Sequence, residues 1–280
     1  MKRTTLILLL LAGITSDAQE VAHAPGMEIA GFTFLATGET GFESPSEPAP
    51  GGQVRIQETT FLTPVTGMTA GPVSLGVAGW AGWTRFDFQD VPGLGTEDLY
   101  GAAAALLVEQ PAGQNWGWNA MVMPGYFGEA RFMAQAQAVR RVTGAWRLEL
   151  GMAFDDAFGD PQLFPVGGAV WRTTDTLALN LLFPSSSICW SPVRHLSLFA
   201  FLQPAGNRWV DHDDEGKWIY VIEGWRAGLG IEPRLWKRLW LRLEGGGELA
   251  RRYEVHHYQN LELDEDVYDT WFARAALVVY

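Results

Sequence analysis

From about residue 27 onward the chain is a succession of short runs in which apolar residues alternate with polar, charged or glycine positions. That period of two is the signature of β-strands. Trp146, Leu148, Leu150, Met152 and Phe154 share one face, while Arg147, Glu149 and Gly151 share the other. Leu239, Leu241, Leu243 and Leu249 oppose Arg242, Glu244, Glu248 and Arg252. In Arg131–Arg141, Phe132, Ala134, Ala136 and Ala138 alternate with Met133, Gln135 and Gln137. A soluble sandwich would turn the apolar face inward, and a membrane barrel would turn it outward to lipid. The alternation by itself fits both.

The final run, Tyr268–Tyr280, separates the two readings. It is apolar, β-prone and free of Gly and Pro, and it finishes on Val-Val-Tyr, whereas terminal residues in water usually fray. Such a strand makes sense with both edges paired and one face in lipid, as the closing strand of a transmembrane barrel. It resembles the C-terminal signature of bacterial outer-membrane barrels. Phe272, Ala276, Val278 and Tyr280 fit that alternation, Arg274 interrupts it, and Ala275, Leu277 and Val279 make the second face apolar too. The resemblance implies recognition by the barrel-assembly machinery through this strand.

With Tyr280 taken as periplasmic, the connections sort by length. Pro64–Pro72, Gln110–Gln114, Val142–Gly144, Thr173–Thr176, Pro192–His195 and Pro233–Arg238 are short. Gly38–Gly52, Asp87–Glu97, Asp155–Phe164, Gln203–Lys217 and Glu254–Val267 are mostly longer. Short turns on one side and long loops on the other is the bacterial outer-membrane pattern. The predicted fold is all-β, a transmembrane antiparallel up-and-down barrel of about fourteen strands. Twelve is the alternative, because Leu177–Phe183 and Ser186–Ser191 are shorter than the ~9–11 residues of a spanning strand. The Pro-, Glu- and Ser-rich loop Gly38–Gly52 either enters the bore as a plug or stays disordered.

Composition sharpens the picture. Lys2 and Arg3, the apolar run Leu6–Leu11 and the small residues Ser16-Asp17-Ala18 read as a signal peptide over 1–18, leaving 19–280 as one barrel domain. The remaining chain has 18 basic and 31 acidic residues, a net −13, which disfavours nucleic acid as a partner. No second long apolar run could cross a bilayer as a helix. Thirty-two Gly and thirteen Trp suit a barrel with aromatic girdles better than a helical core. Trp146, Trp218, Trp240, Tyr253, Trp271 and Tyr280 fall near strand ends, where interfacial anchoring is expected. Cys189 is the single cysteine, so no intrachain disulfide forms.

More than half of the acidic residues lie in the long loops. They form a solvated rim or, through divalent cations, bridge to lipopolysaccharide, since carboxylate oxygens suit such ions. Membrane lipid and lipopolysaccharide are therefore the expected partners, and no cofactor is implied. Trp209 in the Gln203–Lys217 loop could stack on a sugar. An outer-membrane lipid hydrolase would need a nucleophile system near the outer leaflet. His256-His257 is the best candidate, but no Gly-x-Ser-x-Gly elbow occurs anywhere.

Leu179-Asn180-Leu181-Leu182-Phe183-Pro184, Trp190-Ser191-Pro192 and His195-Leu196-Ser197-Leu198 resemble a recurrent block in an uncharacterised family of bacterial outer-membrane β-barrels. The resemblance implies fold and location and carries no catalytic residue. The polar faces carry the functional reading. Arg55, Arg131, Arg147, Glu149, Arg226, Arg242, Glu244, Glu248 and Arg252 would line the interior. Buried charges must be paired or wetted. Paired across strands, they fill a structural lumen; separated by sign across the bore, they line a narrow channel for small hydrophilic solutes.

Overall fold

The computed structural model describes residues 30–37, 40–41, 52–91, 93–174, 176–213, 216–257 and 260–279. The expected signal peptide, Tyr280 and most of the Gly38–Gly52 loop lie outside the described residues. Every described element is a strand. In chain order they are β1 (Ala30–Thr37), β2 (Thr40–Gly41), β3 (Gln53–Ala70), β4 (Val73–Gln89), β5 (Thr96–Pro111), β6 (Trp116–Tyr126), β7 (Ala130–Arg141), β8 (Trp146–Asp155) and β9 (Gln162–Thr174). They continue with β10 (Leu177–Phe183), β11 (Ser186–Val193), β12 (Leu196–Pro204), β13 (Asn207–Asp213), β14 (Gly216–Trp236), β15 (Leu239–His257), β16 (Asn260–Val267) and β17 (Thr270–Val279).

Fourteen of the seventeen close a cylindrical wall of antiparallel pairs: β1, β3 to β12, β14, β15 and β17. Closure is made by β1, which pairs with β3 on one edge and with β17 on the other, Ala30 opposite Val279 and Thr37 opposite Phe272. No wall strand is left with an unpaired edge, the requirement for a sheet that meets lipid. The short β10 and β11 are full members of the wall, between β9 and β12, so the count is fourteen and not twelve.

The other three strands lie where the sequence suggested loops. β2 pairs with β3, β13 with β14 and β16 with β15, so the 203–217 and 254–267 segments prolong the wall at the long-loop end. At the other end β3 runs on to Ala70, although Pro64–Pro72 read as a connection. The proline is absorbed by a register shift between Pro64 and Thr66, because a proline inside a sheet is tolerated at a bulge.

Around the lower wall the outer face is apolar. Leu106, Leu148, Leu150, Leu181, Ile188, Leu229, Ile231 and Leu243 are all exposed, Leu150 to 74%. Exposed aromatics bracket this surface in two bands. Trp116, Trp118, Trp146, Trp190 and Trp236 lie near the short turns, and Tyr100, Tyr126, Phe132 and Trp271 lie nearer the long loops. On β6 the bands are eight residues apart, Trp118 to Tyr126. That is roughly 20 Å along the axis at ~3.3 Å per residue and ~40° of tilt, close to the apolar band of a membrane barrel.

Above the second band the faces exchange roles. Val54, Ile56, Phe86, Phe88, Leu99, Tyr220, Ile222, Tyr253 and Val255 turn inward into one apolar cluster with Trp209. Arg85, Asp87 and Asp98 turn outward, Trp83 donating to Asp98 at 3.0 Å and Thr96 to Asp87 at 3.0 Å. A strand keeps its period of two throughout, and the surroundings decide which face is polar.

This exchange corrects two expected interior positions. Arg55 lies between inward Val54 and Ile56 and opposite Asp87, which puts it on the outer face. Arg252 is turned out by a β-bulge. Ala250 and Arg251 together oppose Gly224, with φ of 49° at Ala250 and 153° at Gly224. One extra residue flips every side chain beyond it, so Arg251 is buried while Arg252 pairs with Asp264 at 2.6 Å on the outside. Tyr253 and Trp240, expected as anchors, are buried inward.

The belt yields a measurable expectation. Leu150→Lys should lower the unfolding free energy of the lipid-inserted barrel by about 2–4 kcal/mol, the cost of a cation on the lipid face. Arg55→Gln, above the belt, should change it by less than about 0.5 kcal/mol. Reversible denaturant titration in lipid vesicles measures both, and equal effects would remove the belt.

Candidate functional site

The interior at belt height is built on three adjacent wall strands. Inward positions of β15 read Trp240, Arg242, Glu244, Gly246 and Glu248; those of β14 read Arg226, Gly228, Gly230 and Glu232; those of β17 read Phe272, Arg274, Ala276 and Val278. The registers set opposite charges beside each other, Arg226 facing Glu248 and Glu244 facing Arg274. Direct opposition is the closest approach a sheet offers two side chains.

The result is a ladder. Arg226 reaches Glu248 at 2.5 Å, and the other carboxylate oxygen of Glu248 takes Arg251 at 3.1 Å. Arg242 donates to Glu232 at 2.7 Å and stands 3.8 Å from Glu244, which also holds Arg274. Glu58 on β3 completes the set, its electrostatic neighbours being Arg226 and Arg274. Four arginines thus pair with three glutamates, Glu232, Glu244 and Glu248, and Glu58 stands beside them.

Each of the four arginines also lies over an aromatic face: Arg226 over Phe272 at 5.1 Å, Arg242 over Phe199 at 5.5 Å, Arg274 over Phe201 at 5.8 Å and Arg251 over Tyr253 at 5.0 Å. The ring quadrupole favours that placement. The three phenylalanine rings have room because their neighbours are glycines. A Cβ on Gly230 would strike the Phe199 ring, and one on Gly228 would meet both Phe272 and Phe201. The glycines of β14 are seats for the rings that flank the ladder.

Across the interior, seven strands round in a ring of fourteen, β7 and β8 face β15 and β17. Beside the apolar Met133 and Ala153, their inward side chains include amides and an ion pair. Gln135 donates to Gln137 at 3.2 Å, Gln137 to Glu149 at 3.2 Å, and Arg147 meets Glu149 at 2.7 Å. Between the two walls, Asn180 donates to Ser187 at 2.9 Å and Ser191 bonds Ser197 at 2.8 Å. The upper end of the ladder opens on a cavity of about 150 Å³, with Glu58, Arg226 and Glu248 on one side and Trp209, Ile222 and residues 204–207 on the other.

Above that cavity the apolar cluster closes the interior. Trp209 meets Phe86 edge-on at 5.3 Å, and Phe86 stacks on Tyr220 at 5.7 Å. Trp209 is therefore buried cap, not an exposed sugar platform. Charges fasten the cap to the far rim. Arg208 pairs with Glu129, Lys217 reaches Glu129 at 2.7 Å, and Arg131 pairs with Asp156. The Glu129 carboxyl is partly desolvated, yet Arg208 and Lys217 hold it below its ordinary range. Burial pushes the Asp156 carboxyl up, against the pull of Arg131.

The expected interior residues therefore divide. Arg226, Arg242, Glu244 and Glu248 belong to the ladder, Arg147 and Glu149 to the facing wall, Arg131 to the rim, and Arg55 and Arg252 to the outside. Sequence reasoning missed Glu58, Glu232 and Arg251 and took Arg274 for an interruption. Arg274 shares the inward face with Phe272, Ala276 and Val278, and its place in the alternation was the available signal. His256 and His257 point opposite ways: His256 lies 3.2 Å from Glu254, and His257 stacks on Trp218 at 4.2 Å. Among the described residues no three His, Cys, Asp or Glu side chains gather as a metal site.

No protein-family model matches the chain, and no curated protein does. Solved barrels are similar over most of its length. An outer-membrane channel from Pseudomonas putida F1 covers 93% of this chain and 98% of its own at 10% identity and a TM-score of 0.44. A deltaS2 mutant of the TodX monoaromatic hydrocarbon channel covers 90% and 89% at 8% identity and 0.39. The translocator domain of the autotransporter NalP from Neisseria meningitidis covers 90% and 88% at 11% identity and 0.34. Identities this low carry no residue role across.

The ladder makes a direct energetic expectation. Glu248→Ala removes the shared partner of Arg226 and Arg251 and should cost about 3–5 kcal/mol, as for other buried pairs broken on one side. Glu248→Gln keeps a hydrogen-bond acceptor and should cost less. Equal and small losses in denaturant unfolding would mean that the ladder is solvated and not a paired core.

Proposed function

We propose that the chain is an integral outer-membrane β-barrel whose interior is a narrow passage for small hydrophilic solutes or ions. One observation carries this reading. At the height of the outer apolar belt the interior holds buried charges and amides, with the ladder on β14, β15 and β17, amides on β7 and β8, and Asn180, Ser187, Ser191 and Ser197 on β10 to β12, interleaved with apolar side chains such as Phe199, Phe201 and Phe272. A soluble barrel would not set a continuous apolar outer face round buried charges. The uneven ends support outer-membrane insertion, with short turns at the end where β1 starts and β17 finishes and longer connections at the other, apart from the turns 127–129 and 184–185.

A second reading, a closed structural barrel, is favoured by the ion pairs of the ladder and the cap above it. Conductance of the refolded, lipid-inserted protein in a planar bilayer decides between them. A passage predicts discrete current steps and an ion preference that shifts in opposite directions for Arg242→Glu and Glu244→Arg. Persistent silence from inserted protein would leave the structural barrel.

A further inference from the structure

We infer that β13, with the adjoining upper part of β14, is a gate hinged on one wall of the barrel and latched to the opposite one. The inference deepens the passage reading and rests on it for its purpose, though not for its geometry. The lower half of β14 pairs with β12 as ordinary wall, Trp225 opposite Pro204 and Pro233 opposite Leu196. Its upper part pairs instead with β13, Ile222 opposite Asn207 and Gly216 opposite Asp213. In the ring of fourteen, β14 and β6 stand seven places apart, so the turn 127–129 between β6 and β7 is on the far side of the mouth. The β13–β14 ribbon reaches it. The Val210 amide donates to the Phe127 carbonyl at 3.1 Å, and Lys217 meets Glu129 at 2.7 Å.

The landing site is shaped for this approach. Gly128 has φ +80°, and a Cβ there would fall on the Val210 carbonyl. Any other residue would hold the ribbon off. The hinge side is fixed by backbone bonds, the Ala205 amide to Gly224 at 2.9 Å and the Gly206 amide to Ala157 at 3.0 Å. Beneath the ribbon lies the cavity that leads to Arg226 and Glu248.

The latch differs in kind from the ladder. Ladder carboxylates are almost wholly covered, the Glu248 side chain at 4% exposure, whereas Glu129 and Lys217 keep 31% and 34%. Partly exposed ion pairs are individually weak and are screened by salt. These screened pairs, the Val210–Phe127 backbone bond and the packing of Trp209 and Tyr220 on Phe86 together hold the ribbon at the mouth, above a wall whose β12–β14 pairing does not depend on it.

The test uses the full mature protein in lipid vesicles. Gln203, inward and opposite Arg226 just below the ribbon, is changed to Cys in a Cys189→Ser background. The rate of modification by a hydrophilic maleimide added at the long-loop side is then measured. Glu129→Lys converts two attractions into repulsions, and Gly128→Ala wedges the landing site. Each should raise the rate by roughly tenfold or more, the scale of a lost latch of this kind. Adding Arg208→Glu and Lys217→Glu to Glu129→Lys should return it toward the starting value. Salt should speed the reference protein and slow Glu129→Lys, a crossing that a merely loosened fold does not produce. Equal rates in the reference and both variants overturn the gate. Rates that respond while no variant conducts keep the gate and remove the passage; steady conduction with unresponsive rates does the reverse.

Discussion

A guanidinium group cannot be left alone inside a sheet whose outer face is apolar, and this barrel encloses four on adjoining strands. Much of its interior follows from that constraint. The registers of β14, β15 and β17 bring carboxylates directly opposite, so that Glu248 serves Arg226 and Arg251, and Glu244 serves Arg274 and Arg242. Aromatic rings cover the flat faces of all four cations, and glycines make room for three of the rings. Charge, ring and glycine are one arrangement repeated up the wall.

Above the belt the same strands obey the opposite rule. Once the outer surface carries Arg85, Asp87 and Asp98, the inner surface is free to be apolar, and Phe86, Tyr220 and Trp209 fill it. The molecule therefore has a polar lower interior and an apolar upper one, with the cavity beside Glu58 at their junction. Two kinds of closure follow. Below, ions are locked by burial and by shared partners. Above, the cap is held by packing and by charges at a rim that solvent still reaches.

Much of the wall was legible in the sequence because period two survives every change of surroundings. The Trp146–Phe154 face and the leucines of β15 were read correctly as faces, and the fourteen strands follow from that alternation. What could not be read was where the surroundings change. Arg55 alternates as well as Arg226 does, but lies above the belt. The bulge at Ala250 leaves no mark in composition, yet it exchanges Arg251 for Arg252. Glu58 is the one carboxylate of β3 and meets its cationic neighbours only through strands distant in sequence, while Glu232 meets Arg242 across the β14–β15 hairpin. β13 was hidden for a related reason, since its acidic, Gly-flanked sequence looks like a loop until Trp209 finds Phe86.

The wall is far from uniform in height. β14 has 21 residues and β15 has 19, while β10 has 7 and β11 has 8 only a few places round the same ring. A spanning strand needs ~9–11 residues, so lipids beside β10 and β11 face too little apolar height and those beside β14 do not. Such one-sided mismatch acts as a torque. The barrel would settle with its axis leaning, or the bilayer would thin along a single flank, and either response gives a round cylinder a defined orientation within the plane of the membrane.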